Sequence, residues 1–353
     1  MSDFMNSKLA KIALYGGILG LGVFLPIWFP AYIGQLTVMW LMVIFALTWD
    51  ILGGQMGYNS LGNIFFFGVG MYLTAMVQVG LYYDLAEYTS PAGGGIYNFT
   101  IAQYFTGMAL GYLLAGIVCI IFAILIGRLV FGLRGPYFAI GTLALATVVG
   151  ELVSTWELVG GGSGMSMPNF PGEPAVSKAT FYAMMFSLAI ITFLFLKWLY
   201  NTRFGLAINA IRDDEEKAEG MGIHTLRYKT VAWSIAAFFL GIAGAIYGNF
   251  NNFFEPIEVA FPTTTFGIFM VLMVLLGGKG TLWGPVIGAI LFHIIKEVTW
   301  TYLLGWQWVA LGLLIIITVV YFQQGIMGWL MDKKPAWFGI RVEGEKQRLG
   351  DMQ

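Results

Sequence analysis

Apolar runs of roughly bilayer-spanning length recur along this chain at about 12–33, 36–53, 61–82, 103–127, 136–156, 179–200, 231–250, 264–277, 284–300 and 306–324. A hydrocarbon core of about 30 Å takes about 20 helical residues to cross, so the pattern predicts ten spans. Backbone polar groups in lipid must be satisfied within each segment, which makes the expected fold an all-α, polytopic transmembrane helical bundle. The runs 264–277 and 284–300 are short, and are expected to be tilted or interrupted.

One polar interval breaks the pattern. Ten charged side chains fall between Arg203 and Lys229, in a chain with only 18 Lys and Arg and 19 Asp and Glu. Burying such a segment in lipid would be costly, so it is placed in water. Read as a helix from about Phe204 to Met221, it offers apolar contacts and a dense polar run, with Asp213 and Lys217 as a supportive i,i+4 pair and Glu215 and Glu219 as a repulsive one. Gly220 and Gly222 supply its stop. It reads as a helix for docking a soluble partner, with Arg212, Asp213, Glu216, Ala218 and Gly222 at the surface, or as a solvated loop.

Charge then orients the bundle. With ten spans both termini share one side, and sixteen of the 18 basic residues fall there; only Lys178 and Lys296 lie opposite. The positive-inside rule makes that side cytoplasmic, charged segment included. Composition agrees: 58% hydrophobic, 10% charged and a mean hydropathy of +0.78, against about 25% charged for soluble domains. Cys119, the single cysteine, reads as a small buried residue. No cleavable signal is evident near Lys8 and Lys11.

Candidate chemistry is sparse. The break Gly53-Gly-Gln-Met-Gly-Tyr-Asn-Ser-Leu-Gly-Asn63 places Asn59, Ser60 and Asn63 beside flexible glycines. With Asp50 they form a candidate translocation path, or else they cap helix ends. Gly160-Gly-Gly-Ser-Gly-Met-Ser-Met-Pro168 has adjacent N–H groups suited to a carboxylate, or is an ordinary loop. Leu52–Gly62 and Leu276–Gly284 share a Gly-Gly break that faintly suggests related halves. Asp50, Glu151 and His293 are the weak intramembrane ionisable candidates for a rival ion-coupled secondary transporter. A channel and a membrane enzyme are poorer readings. No metal cluster, catalytic constellation or P-loop is present in the sequence, no cofactor is expected in this chain, and nothing indicates nucleic acid.

Leu133-Arg-Gly-Pro-Tyr-Phe-Ala-Ile-Gly-Thr-Leu-Ala144, the segment Asn201–Ile223 continuing through Arg227-Tyr-Lys229, and Leu275-Leu-Gly-Gly-Lys-Gly-Thr-Leu-Trp-Gly-Pro-Val-Ile-Gly-Ala289 together resemble the LivM-type inner-membrane permeases of branched-chain amino acid ABC importers. The resemblance covers about residues 36–330. It implies a permease body over 1–330 with a cytoplasmic coupling loop at 201–229, and a short cytoplasmic tail at 331–353. It further implies a LivH-type second permease, two cytosolic ATPase subunits that bind ATP and Mg, and a periplasmic solute-binding protein delivering a small-molecule solute. Residues 212–223 would match the coupling helix, Arg134, Gly135 and Pro136 the start of the fifth span, and Gly277 and Gly278 the late glycine motif. Asn63 stands where the family usually has His, and Asp50 where its urea branch often has Asp. The implied solute is therefore a branched-chain or other small amino acid, with urea or a short amide as the alternative.

Overall fold

The computed structural model describes residues 17, 20, 22–89, 97–263, 265–302, 305–321 and 324–333. Its helices are α1 (Ile33–Gly53), α2 (Asn63–Gly80), α3 (Leu85–Thr89), α4 (Ile101–Val130), α5 (Pro136–Ser154), α6 (Pro174–Tyr200), α7 (Arg203–Asp213), α8 (Glu215–Gly220), α9 (Thr225–Asn251), α10 (Phe266–Gly277), α11 (Gly284–Tyr302), α12 (Gln307–Tyr321) and α13 (Gly325–Lys333). A two-stranded antiparallel pair, β1 (Met165–Ser166) with β2 (Phe253–Phe254), joins two loops at one end.

The architecture is all-α, as expected, but the count of ten spans is corrected. Among the described residues six helices are long and apolar enough to cross a membrane: α1, extended by the turn Pro30–Tyr32, and α2, α4, α5, α6 and α9. The first expected run, 12–33, lies partly outside the described residues. The later helices are shorter or less apolar. α10 has 12 residues and α12 has 15. α11 has 19, but carries His293, Lys296 and Glu297.

Burial sorts the helices into centre and rim. α1 is apolar on every side from Met39 to Leu47, and 89% of its spanning window is buried. A helix hydrophobic all round belongs inside, and α1 packs against α6, α9, α10 and α11. The corresponding window of α5 is only 22% buried. α4 is similarly exposed, with Leu113, Ile117, Ile121 and Leu125 facing outward. Its 30 residues make a rod about 45 Å long, long enough to tilt in a bilayer. A capping box starts it: Thr100 Oγ1 accepts from the Gln103 N–H at 3.3 Å while Gln103 Oε1 accepts from the Thr100 N–H at 2.9 Å.

Close helix crossings depend on glycine. A methyl group at Gly244 of α9 would lie 2.0 Å from the Phe67 carbonyl oxygen of α2, and one at Gly288 of α11 would lie 1.9 Å from the Met273 oxygen of α10. Small residues at such contacts let backbones approach and pack. Between α9 and α10 the chain does not run straight across. It forms a π-helical turn over Pro256–Ala260 and re-enters the bundle, so that Phe266 stacks on Phe45 with centroids 5.3 Å apart. α10 is thus a half-length helix starting inside protein, where irregular backbone is tolerated at membrane depth.

The Gly-rich stretch after α5 is an ordinary, tightly tied loop. Its N–H groups at Gly160, Gly161, Ser163, Gly164 and Met167 donate to the carbonyls of Glu157, Trp156, Gly160, Gly161 and Asn252. These groups are not free for a carboxylate.

Candidate functional site

Four polar segments that are far apart in sequence meet at one end of the bundle. These are the α1–α2 break, the start of α5, the α7–α8 pair and the α10–α11 break. The expected single helix over Phe204–Met221 is corrected to two, because Asp214 is extended, with φ −163° and ψ 106°. Its carboxylate accepts from the Lys217 N–H at 3.0 Å and so caps α8. It also captures the Lys217 ammonium at 2.9 Å, replacing the expected Asp213–Lys217 pair, while Asp213 takes Arg212 at 3.0 Å. α7 starts similarly, on Thr202, whose hydroxyl accepts from the Phe204 N–H at 3.2 Å.

α8 is held to the bundle by a cluster outside the residues expected from sequence. Glu215 accepts hydrogen bonds from the Lys229 ammonium and the Tyr58 hydroxyl, and Lys229 also donates to the Tyr58 oxygen at 2.6 Å. The ammonium lies 4.2 Å from the Tyr58 ring centroid. Thr225 Oγ1 sits 2.5 Å from Glu219 Oε1 and 3.3 Å from Glu215 Oε1, which relieves the expected Glu215–Glu219 repulsion. Lys229 is 3% exposed and Glu215 17%. Burial penalises the Glu215 carboxylate, but the bonds from Lys229 and Tyr58 outweigh it and hold its pKa below the usual value. The Tyr58 phenol is pushed up by burial and by the Glu215 carboxylate. A lysine one turn inside an apolar helix, four residues after Thr225, was the available signal.

The two Gly-Gly breaks also meet. Asp50, fully buried at the end of α1, accepts from the Gly280 N–H at 2.8 Å and from the Gln55 amide at a long 3.5 Å. Arg212 of α7 lies over both breaks. A methyl at Gly57 would be 3.4 Å from its Cγ, and one at Gly280 would be 3.6 Å from its Nη1. Gly278, at φ 117°, and Gly277, where a methyl would lie 1.8 Å from the Gly284 oxygen, shape the second break.

Between these parts lies a cavity of about 710 Å³, lined in part by Tyr58, Asn59, Arg134, Pro136, Asp214 and Glu216. Gly135 (φ 57°) and Pro136 turn the chain into α5 beside it, and Arg134 reaches Glu216 at 3.6 Å across solvent. Of the expected docking residues, Arg212, Asp213, Glu216 and Gly222 are exposed. Ala218 is buried, so it seats α8 on the bundle and offers no outer surface. The expected path residues have different surroundings. Asn59 is exposed at the cavity, and Ser60 accepts from the Gly62 N–H at 3.3 Å within the turn. Asn63 is fully buried with both amide atoms unpaired and makes no cap.

The family model described as branched-chain amino acid transport system, permease component, matches residues 31–321. The chain is 25% identical over 321 residues to the high-affinity branched-chain amino acid transport system permease protein LivM of Escherichia coli K12, covering 83% of this chain and 72% of that one. It is 31% identical over 233 residues to a probable LivM of Methanocaldococcus jannaschii, covering 63% and 65%. It is 25% identical over 161 residues to the corresponding LivH of Escherichia coli K12, covering 45% and 50%. No solved structure matches. Apolar spanning helices and the family match together make this a multi-pass inner-membrane protein and a transport subunit. The chain belongs to the family of permease components of branched-chain amino acid transport systems.

Proposed function

We propose that this permease imports branched-chain or similar small amino acids, and that ATP-driven motion enters it through α7 and α8. The observation that carries the coupling role is the Tyr58–Glu215–Lys229 cluster. It fixes an exposed, charged helix pair rigidly to α9 and to the α1–α2 break, so a push on α8 reaches the bundle. Exposed Arg212, Asp213, Glu216 and Gly222 form the contact surface for a cytosolic ATPase. A LivH-type second permease completes the membrane unit, as the likeness to LivH supports. Two ATPases and a solute-binding protein complete the importer. Coupling then biases a two-state bundle between outward and inward access.

The basic loops gather at the α7–α8 end, which we assign to the cytoplasm together with both termini and a tail at 331–353. Asp50, the residue that pointed toward urea, is buried against Gly280, and we assign it to joining the two breaks. That favours an amino acid over urea. Asn63 retains a path role, and Asn59 stands at the cytosolic cavity.

Uptake into proteoliposomes by the purified complex is the test. Leucine should accumulate only with internal ATP and loaded binding protein, and urea should not. ATP-independent uptake driven by a proton gradient would refute the reading. Cysteines at Ser166 and Glu255 should react with an impermeant thiol reagent outside spheroplasts, and one at Glu216 should not; the reverse pattern would invert the orientation.

A further inference from the structure

Polar side chains on the outside of a membrane bundle are expensive unless they face water or another subunit. The lipid-facing rim of α4 follows this rule with Leu113, Ile117, Ile121 and Leu125. The outer halves of α1 and α11 do not. On α11, His293, Glu297 and Thr301 recur every four residues and form one stripe, and with Gln35 of α1 they line a cavity of about 530 Å³. Its size is within the roughly 300–1,000 Å³ of small-molecule sites.

Each wall has a distinct chemistry. Leu36, Met39, Ile290 and Ile294 supply an apolar surface. His293 is only 4% exposed, lies against the Gln35 backbone, and its Nδ1 has no hydrogen-bond partner. Nδ1 itself is fully buried, so the ring packs behind the cavity wall and holds the Gln35 backbone in place. Glu297, on the same wall, is held by the Lys296 ammonium at 3.1 Å. The cavity therefore combines the Glu297 carboxylate, the Thr301 hydroxyl, the Gln35 amide and an aliphatic surface.

We infer that the α1–α11 cavity is an intramembrane solute site that holds a zwitterionic, aliphatic amino acid. Glu297 takes the solute ammonium. The Thr301 hydroxyl and the Gln35 amide donate hydrogen bonds to its carboxylate end, and Leu36, Met39, Ile290 and Ile294 receive the branched side chain. Partial pairing of Glu297 with Lys296 keeps the site weak enough to release its occupant, the compromise any conducting path makes. This assignment rests on the amino acid reading above.

The test uses the complete importer in proteoliposomes, with leucine as probe. Glu297→Gln and Thr301→Val should lower leucine transported per ATP hydrolysed by about tenfold, the scale of one lost charge-assisted hydrogen bond. Complex assembly and ATPase activity stimulated by the binding protein should persist. In a Cys119→Ser background, millimolar leucine should slow thiol labelling of an Ile294→Cys variant, and urea should not. An unchanged leucine-to-ATP ratio in both variants would overturn the assignment, as would equal protection by urea. Lost assembly in both variants would make the groove a subunit contact and overturn it too. Absence of leucine uptake by the unmodified importer would instead refute the amino acid reading itself.

Discussion

Replacing Lys229 with Met removes one ammonium and keeps the length of the side chain. In the folded protein that ammonium is 3% exposed and bonds both Glu215 and Tyr58. Breaking a buried ion pair by deleting one partner costs about 3–5 kcal/mol. Glu215 is 17% exposed and keeps bonds from Tyr58 and Thr225, so the low end applies, about 3 kcal/mol. Glu215→Gln is the harsher change because it leaves a cation stranded inside, and about 4–5 kcal/mol is expected. The double variant should cost less than the sum by about 2–3 kcal/mol, the coupling of groups in one network. By contrast the exposed Arg134–Glu216 pair, at 65% and 83% side-chain exposure, should contribute no more than about 1 kcal/mol. Reversible unfolding in mixed detergent micelles, followed by circular dichroism, measures all four quantities. The same variants should lose solute-stimulated ATPase activity in the assembled importer before they lose abundance. A Lys229→Met cost below about 1 kcal/mol, or strict additivity in the double variant, would refute the strut.

Gly54→Ala should break the link between the two glycine breaks, since the added methyl would lie 1.8 Å from Asp50 Oδ1 and 2.5 Å from the Gly280 nitrogen; assembled complex should fall sharply in size-exclusion profiles. Asp214→Ala removes the α8 cap and should cost about 0.5–2 kcal/mol, read as a lower unfolding midpoint with spans intact. Asn63→Ala should leave folded yield near wild type, because no cap or partner is lost, while uptake per complex changes; normal uptake would remove Asn63 from the path. The pH dependence follows from Glu215. Its folded pKa is depressed below the ordinary 4.5, so its stabilisation is complete above that value and is lost as pH falls through the lower folded one. Without Lys229, burial raises the Glu215 pKa, so the stability gap between wild type and Lys229→Met should narrow steadily as pH falls and be smallest once Glu215 is protonated in both, below about pH 4.

Much of this protein was legible from periodicity and charge. Apolar run length announced spanning helices, and the gap in hydrophobicity at 201–229 announced a polar element between α6 and α9, because transfer of charge into hydrocarbon is governed by composition alone. The motif at Leu133–Ala144, the coupling segment and the late glycine motif carried the family. Other features depended on geometry. The short run at 264–277 pointed to a tilted or interrupted span, but the turn at Pro256–Ala260 that starts α10 inside the bundle came only with the structure. Nor could sequence show that Asp214 would split the docking helix, because Asp is tolerated in a helix until its side chain captures a backbone N–H.

By itself, then, the sequence determined what must lie in lipid, what must lie in water, and which family of motifs the chain carries. These follow from the free energy of moving side chains between solvents, a property of each residue. Only the tertiary structure decided that Tyr58, Glu215 and Lys229 would share one bond network across 171 positions of chain. It also decided that Asp50 would grip Gly280, and that Ala218 would turn inward. Those outcomes depend on pairwise distances between remote segments, which close-packed helices fix and linear patterns leave open.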